Sequence, residues 1–268
     1  LLDLSAVSSF LHHSDYAFIL VWPTTRTDTR PIAAGPGNWC GIIHVSPLTE
    51  ISKATGHFVT DQSPRSTIAF NSARFLTSAA RLDQCPEDEG HEVAFAGRSN
   101  SGKSSALNAI TRNSKLARTS KTPGRTRLIN FFSLSRPGAR LVDLPGYGFA
   151  RVSREMQQDW EKHLGAYLEH RQSLRGMTLI MDIRHPLSEF DEMLIEWCQH
   201  HELPMLLLLT KSDKLKKNPA RQQVRDVQNA LRDVPCVTRV QPFSALKGEG
   251  IDEARAHLSQ WLDDTASD

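Results

Sequence analysis

The sequence predicts an α/β fold: a mostly parallel sheet with helices on both faces. Three observations predict it. From about residue 91, apolar runs of strand length alternate with stripes of helical period. A glycine-rich segment, Gly97-Arg98-Ser99-Asn100-Ser101-Gly102-Lys103-Ser104, joins the first of those strands to the first helix. Several polar turn motifs each follow an apolar run, which places them at the carboxyl ends of strands, where α/β sheets bind ligands.

Taken in order, residues 91–96 read as a short buried strand and residues 105–110 as the first turns of a helix. Residues 139–142 read as a second strand. Residues 153–174 carry Met156, Trp160, Leu164, Tyr167 and Leu168 at helical spacing. Residues 178–181 read as a buried strand, and residues 188–200 as a helix with Ser188 and Asp191 as its capping pair. The apolar run 205–209 is a strand, and Asn218-Pro219 is expected to be the cap and first position of the next helix. Residues 237–240 form another strand. Ile251, Ala254, Leu258, Trp261 and Leu262 make the last helical stripe. The aromatic stripes are core positions.

Residues 97–104 have the GxxxxGKS spacing of a phosphate-binding loop. Glycines let the backbone curl so that successive N–H groups face a phosphate, and a helix start adds partial positive charge there. Lys103 is placed to reach the β and γ phosphates, and the Ser104 hydroxyl to ligate Mg²⁺. Asp143-Leu144-Pro145-Gly146 is a DxxG sequence. There Asp143 would hold the Mg²⁺ through a water, and the Gly146 N–H would meet the γ-phosphate. Thr210-Lys211-Ser212-Asp213 resembles the guanine-reading NKxD box of GTPases, with Thr210 where Asn is usual. An aspartate suits guanine because it accepts from both N1–H and the 2-amino group, donors that adenine lacks. The Lys211 stem can lie over the base and ribose. Phe243-Ser244-Ala245 resembles the loop whose backbone N–H meets guanine O6.

The four motifs, in this order, resemble a translation-factor-class GTP-binding domain. Lys121-Thr122-Pro123-Gly124-Arg125-Thr126-Arg127-Leu128-Ile129-Asn130-Phe131-Phe132 narrows the match. It is similar to the switch I segment of the EngB (YihA/YsxC) family of bacterial GTP-binding proteins. Gly97 to Ser105, Asp143-Leu144-Pro145-Gly146-Tyr147-Gly148 and Met181-Asp182-Ile183-Arg184-His185-Pro186-Leu187 are similar to that family too, as is Thr210 in its box. The resemblance runs from about Phe70 to about Trp261. It implies a P-loop GTPase fold and GTP and GDP as ligands. It also implies a role in assembly of the large ribosomal subunit and in normal division and septation. Thr126 would complete the Mg²⁺ shell, Gly124, Arg125, Arg127 and Leu128 would wrap the nucleotide, and Asn100 matches the asparagine that binds K⁺ in K⁺-stimulated relatives. Lys103, Thr126 and Gly146 would then carry the catalytic contacts.

On this basis residues 66–264 form the GTP-binding domain and residues 265–268 a short tail. Residues 1–65 are expected to be a poorly ordered extension or an upstream reading-frame artefact. Charge is thin over residues 1–69, with four basic and five acidic side chains, and the chain begins with Leu. The longest early apolar run, residues 17–22, is too short for a membrane span, and it lacks the basic leader and small-residue cleavage site of a signal peptide. A cytoplasmic monomer without a membrane partner is the expectation. The four cysteines are widely spaced and show no metal-binding pattern, so idle reduced thiols are expected.

Net charge is +2, yet residues 93–142 contain ten basic side chains and no acidic one. Part of this balances nucleotide charge. The rest suits RNA phosphates, as does a second basic cluster of Lys211, Lys214, Lys216, Lys217, Arg221 and Arg225. Where Ras-like enzymes carry a water-orienting Gln after DxxG, this chain has Tyr147, so slow intrinsic hydrolysis is expected. Two other readings compete: a P-loop ATP-dependent kinase or transferase, which Asp213 disfavours, and a nucleotide-gated division scaffold without useful catalysis.

Overall fold

The computed structural model describes residues 68–117, 128–147 and 164–263. The expectations for residues 1–65, 118–127, 148–163 and 265–268 lie outside the described residues. Seven strands form one sheet in the order β1-β3-β4-β2-β5-β6-β7. They are β1 Arg74–Ala79, β2 His91–Gly97, β3 Ile129–Ser133, β4 Ala139–Asp143, β5 Leu174–Asp182, β6 Met205–Thr210 and β7 Val237–Pro242. The pairs β2–β4, β2–β5, β5–β6 and β6–β7 are parallel, while β3 runs antiparallel to both β4 and β1. The helices are α1 Lys103–Thr111, α2 over residues 164–170, α3 Glu189–His200, α4 Lys217–Ala230 and α5 Ile251–Leu262.

The central strands are apolar on both faces because both faces are covered. All six residues of β6 are buried. Leu206 and Leu208 join Leu107 and Ile110 of α1 and Leu258 of α5 on one face. Leu207 and Leu209 join Tyr167 of α2, Ile195 of α3 and Val227 of α4 on the other. The period-2 alternation of a strand thus feeds two separate cores. Arg255 of α5 also donates to the Ile110 and Ala109 carbonyls at the carboxyl end of α1, at 2.8 and 3.2 Å. Cys85, Cys198 and Cys236 are free thiols, and burial pushes Cys85 up to about 11.

Some boundaries differ from the expectation. Helix α2 stops at residue 170, and Leu174 opens β5 instead of ending a helical stripe. Helix α4 begins at Lys217 with Lys216 as its cap, so Asn218 does not cap it and Pro219 sits within the first turn. Proline is tolerated there because first-turn N–H groups have no intrahelical partner. The Ser188–Asp191 pair caps α3 as expected: the Asp191 carboxylate accepts from the Ser188 N–H at 2.9 Å and from its hydroxyl at 2.7 Å.

A buried ionic hub ties the amino end of the sheet together. Glu92 of β2 is fully buried. Its carboxylate accepts from Arg140 of β4 at 2.7 Å, from Arg171 at 2.7 and 2.9 Å, and from the Tyr167 hydroxyl at 2.9 Å. The two guanidiniums also donate to backbone carbonyls of the loop before β2, including those of Pro86 and Glu87. Both Glu92 oxygens thus accept twice, the condition under which a buried charge is tolerated. Glu92→Gln removes a carboxylate shared by two buried cations. It should lower unfolding free energy by about 3–5 kcal/mol, read as a shift in the urea midpoint.

Candidate functional site

All four motifs lie at one end of the sheet, because β2, β4, β6 and β7 end there in parallel register. The loop between β2 and α1 requires its glycines. A Cβ on Gly97 would meet the Ile180 carbonyl oxygen at 2.6 Å. Gly102 has φ 102° and caps α1, and Asn100 has φ 64°. These left-handed residues bend the chain back on itself, and the helix start directs its unpaired N–H groups toward the loop. Lys103 leaves the first helical position and pairs with Asp143 at the end of β4; both side chains are nearly buried, at 11% and 10% exposed.

The DxxG turn is fastened to this loop. The Leu144 N–H donates to the Phe95 carbonyl at 3.0 Å, and the Ser99 N–H to the Tyr147 carbonyl at 2.8 Å. Gly146 lies against the same loop, where a Cβ would stand 3.7 Å from the Ser99 backbone. Pro145 lies between Leu144, which is buried in the core, and Gly146. The Tyr147 ring is buried and stacks on Phe190 at 4.6 Å between centroids. Its hydroxyl donates to Asp191 at 2.5 Å. Burial, with the Asp191 carboxylate beside it, holds this phenol well above its ordinary range.

The segment after β6 reaches back to the phosphate-type loop. The Thr210 hydroxyl sits between the Ser101 carbonyl and the Met181 carbonyl, 3.0 Å from the latter. Lys211, at φ 57°, donates from Nζ to the Asn100 carbonyl at 2.7 Å and pairs with Asp182 at 3.0 Å. Asp213 accepts from the Ser244 hydroxyl at 2.6 Å, which joins the third and fourth motifs. Ser212 donates from N–H to the Phe243 carbonyl at 3.2 Å and from its hydroxyl to Glu249. Asp213, Lys211, Thr210, Gly102, Phe243 and Ala245 are among the residues lining a cavity of about 220 Å³.

The structure therefore brings together residues 97–104, 143–147, 210–213 and 243–245. Leu128 is exposed and directly precedes β3, which enters the sheet with Asn130 opposite Asp143. Gly124, Arg125, Thr126 and Arg127 lie outside the described residues. The donor set fits a magnesium ion. Ser104 and Asp143 offer hard oxygens, and Mg²⁺ is held by one or two protein oxygens, with phosphates and waters supplying the rest. No group of three or more His, Cys, Asp or Glu forms another metal site among the described residues.

Sequence reasoning passed over three tethers. Asp182 was quoted only as part of a motif, yet its carboxylate lies between Lys211 and Arg184, with the Arg184 contacts at 2.9 and 2.7 Å. Arg184 is thus a structural partner at this position. Glu249 binds both guanine-type loops, since its carbonyl also accepts from the Ser244 N–H at 3.0 Å. Asp191 serves Tyr147 as well as its own helix cap. Each joins positions tens of residues apart.

The Arg184 contacts first, and then Lys211, hold the Asp182 carboxyl well below its ordinary value of 3.8. A carboxyl lowered on folding stabilises the fold above its unfolded value. That contribution is lost as pH falls below about 4 toward the folded value. Asp182→Asn should therefore lose less stability than the parent between neutral pH and pH 3, measured by urea midpoints at each pH.

The comparisons with known proteins agree with this geometry. Residues 92–211 match the family model described as 50S ribosome-binding GTPase. The "Probable GTP-binding protein EngB" of Aeromonas salmonicida (strain A449) is 52% identical over 195 residues, 73% of this chain and 89% of the relative. That of Coxiella burnetii (strain RSA 493 / Nine Mile phase I) is 52% identical over 198 residues, 74% of this chain and 96% of the relative. The crystal structure of a probable GTP-binding protein EngB superposes with a TM-score of 0.52 at 21% identity, covering 64% of this chain and 98% of its own. Era in complex with MgGDPNP and nucleotides 1506–1542 of 16S ribosomal RNA gives a TM-score of 0.52 at 23% identity over 66% of this chain and 58% of its own. These two structures share the fold. With two thirds of its length more than half identical to these relatives, the chain belongs to the EngB family of GTP-binding proteins, P-loop GTPases in fold.

Proposed function

We propose that the chain is a GTP-binding switch that hydrolyses GTP slowly with Mg²⁺. Its proposed task is assembly of the large ribosomal subunit, and through it normal cell division and septation, as a cytoplasmic monomer. One observation carries the nucleotide reading. Asp213, braced by Ser244, lines a cavity that also touches Gly102 at the head of α1. A guanine base seated against Asp213 would thus leave its phosphates at the loop that ends in Lys103. The ribosomal reading is supported by the family model's description as ribosome-binding. The exposed cation Arg98 on the phosphate-type loop supports it too.

In this reading the loop N–H groups and Lys103 would neutralise phosphate charge, Ser104 and Thr126 would hold the metal, and Asp143 would support it through a water. When bound, Mg²⁺ supplies further charge neutralisation between the β and γ phosphates. Gly146 N–H and Thr126 keep their loops in place only while the γ-phosphate is present, which makes the switch. Leu144 and Pro145 carry the chain from Asp143 to Gly146. Gly124, Arg125, Arg127 and Leu128 wrap the nucleotide. Tyr147 points into the core and is engaged by Asp191, so it does not orient water. Turnover by the isolated protein is therefore slow, about 10⁻⁴ s⁻¹ as for an unassisted Ras-type enzyme.

Asp213→Asn tests the base reading. It should lose guanine nucleotides and gain xanthine nucleotides, while ATP fails to compete with GDP on the parent protein. ATP displacing GDP at equal concentration would exclude the assignment. Asn100, exposed at the turn of the loop, is the proposed K⁺ ligand. Turnover should be faster in K⁺ than in Na⁺ at equal ionic strength, and Asn100→Ala should abolish the difference.

A further inference from the structure

Helix α4 carries its charge in an arrangement that the fold does not explain. Lys217, Arg221 and Arg225 follow one another at intervals of four residues and are exposed. Residues four apart lie one above the other on a helix, at about 6 Å per step. Lys214 and Lys216, both exposed, extend the cations beyond the amino end of the helix. Like charges at this spacing destabilise a helix. The amino end is also where a helix favours acids, and the first turn of α4 has none.

Nothing among the described residues offsets this. Among the described residues, Lys217 and Arg221 make no ion pair or side-chain hydrogen bond, and Arg225 only donates to the Gln222 amide oxygen at 2.8 Å. The one acid of the helix, Asp226, accepts from the Gln222 amide at 2.8 Å. Ala220, Val224, Val227 and Leu231 supply the packing onto the sheet, so the three cations are not needed for it. The row starts next to the nucleotide cavity, because Lys211 and Lys214 line that cavity.

We propose that this row binds the phosphate backbone of a single RNA strand, laid along α4 away from the nucleotide cavity. Evenly spaced point charges, one per helical turn, match the repeat of phosphates along one strand. They read no base edges, so binding is independent of sequence. An acidic protein surface, by contrast, gives no reason for a regular row. The proposal deepens the ribosomal reading above and takes only the class of partner from it.

The test uses the full chain and a labelled single-stranded oligouridylate. Lys217→Glu, Arg221→Glu and Arg225→Glu are combined in one variant, and a control reverses three exposed cations outside both basic clusters, Arg74→Glu, Arg175→Glu and Arg232→Glu. The row variant should bind the RNA about tenfold or more weakly at low salt. Its slope of log affinity against log salt should shrink by about 2, because each single-strand phosphate contact contributes about 0.7. Its melting temperature should hold or rise, since acids now stand near the start of the helix, and GDP binding should not change. Equal loss in the control, an unchanged salt slope, or a fall in melting temperature would overturn the proposal. So would tighter binding of polyglutamate than of RNA by the parent protein. Failure of the nucleotide reading would show separately, as absence of GDP binding in the parent.

Discussion

A loop that turns its N–H groups inward must turn carbonyls outward, and those carbonyls need donors of their own. The rest of the site is arranged around this constraint. The Asn100 carbonyl is met by the Lys211 ammonium and the Ser101 carbonyl by the Thr210 hydroxyl. Both donors come from the segment that also presents Asp213. The loop that carries Asp213 is therefore the outer support of the phosphate-type loop, and a shift of one bears on the other. A threonine suffices at position 210 because one hydroxyl, buried between the Ser101 and Met181 carbonyls, does the holding. Lys211 is aimed in turn by Asp182, and Asp182 by Arg184.

The sheet separates its two polar tasks by end. At the amino end, Glu92 with Arg140, Arg171 and Tyr167 forms a closed set in which every charge is answered inside the protein. At the carboxyl end, Lys103 and Asp143 answer each other beside a loop into which the helix start directs its unpaired N–H groups. The first arrangement fixes the strands, and the second leaves capacity for a ligand. Tyr147 stands between these regimes. It follows the DxxG turn directly, yet its ring lies under α3, and its hydroxyl shares Asp191 with the helix cap. A movement of the DxxG turn would therefore be felt at the start of α3.

Much of this was legible because the chemistry of the site is local. Residues 97–104, 143–146 and 210–213 each occupy one turn, and the alternation of strand and helix fixed where those turns must fall. The edge of the sheet was not legible. Strand β1 shows no alternation, with its first three residues exposed, and β3 is a short apolar run whose sequence reads equally as the end of a loop motif. Helix α4 starts two residues earlier than its Asn-Pro pair suggests, since Lys216 caps it without a capping side chain. The partners of Lys211, Tyr147 and Ser212 escaped notice because they belong to other elements, and one sequence carries no sign of contacts across such distances. The family resemblance located the motifs but not these supports.

Arg255 gives the site a direction in time. The helix that begins at the phosphate-type loop has its last carbonyls, those of Ala109 and Ile110, held by a residue almost at the end of the chain. The same final helix buries Ala254, Leu258 and Leu262 in the core that Leu107 and Ile110 share. A ribosome making this protein delivers the loop well before its closing support. While the chain is still tethered, residues 97–104 have emerged but the helix behind them is neither covered nor capped. The loop thus waits on a helix made long after it, and a product lacking α5 would keep the motif without the residues that cap and cover the helix behind it.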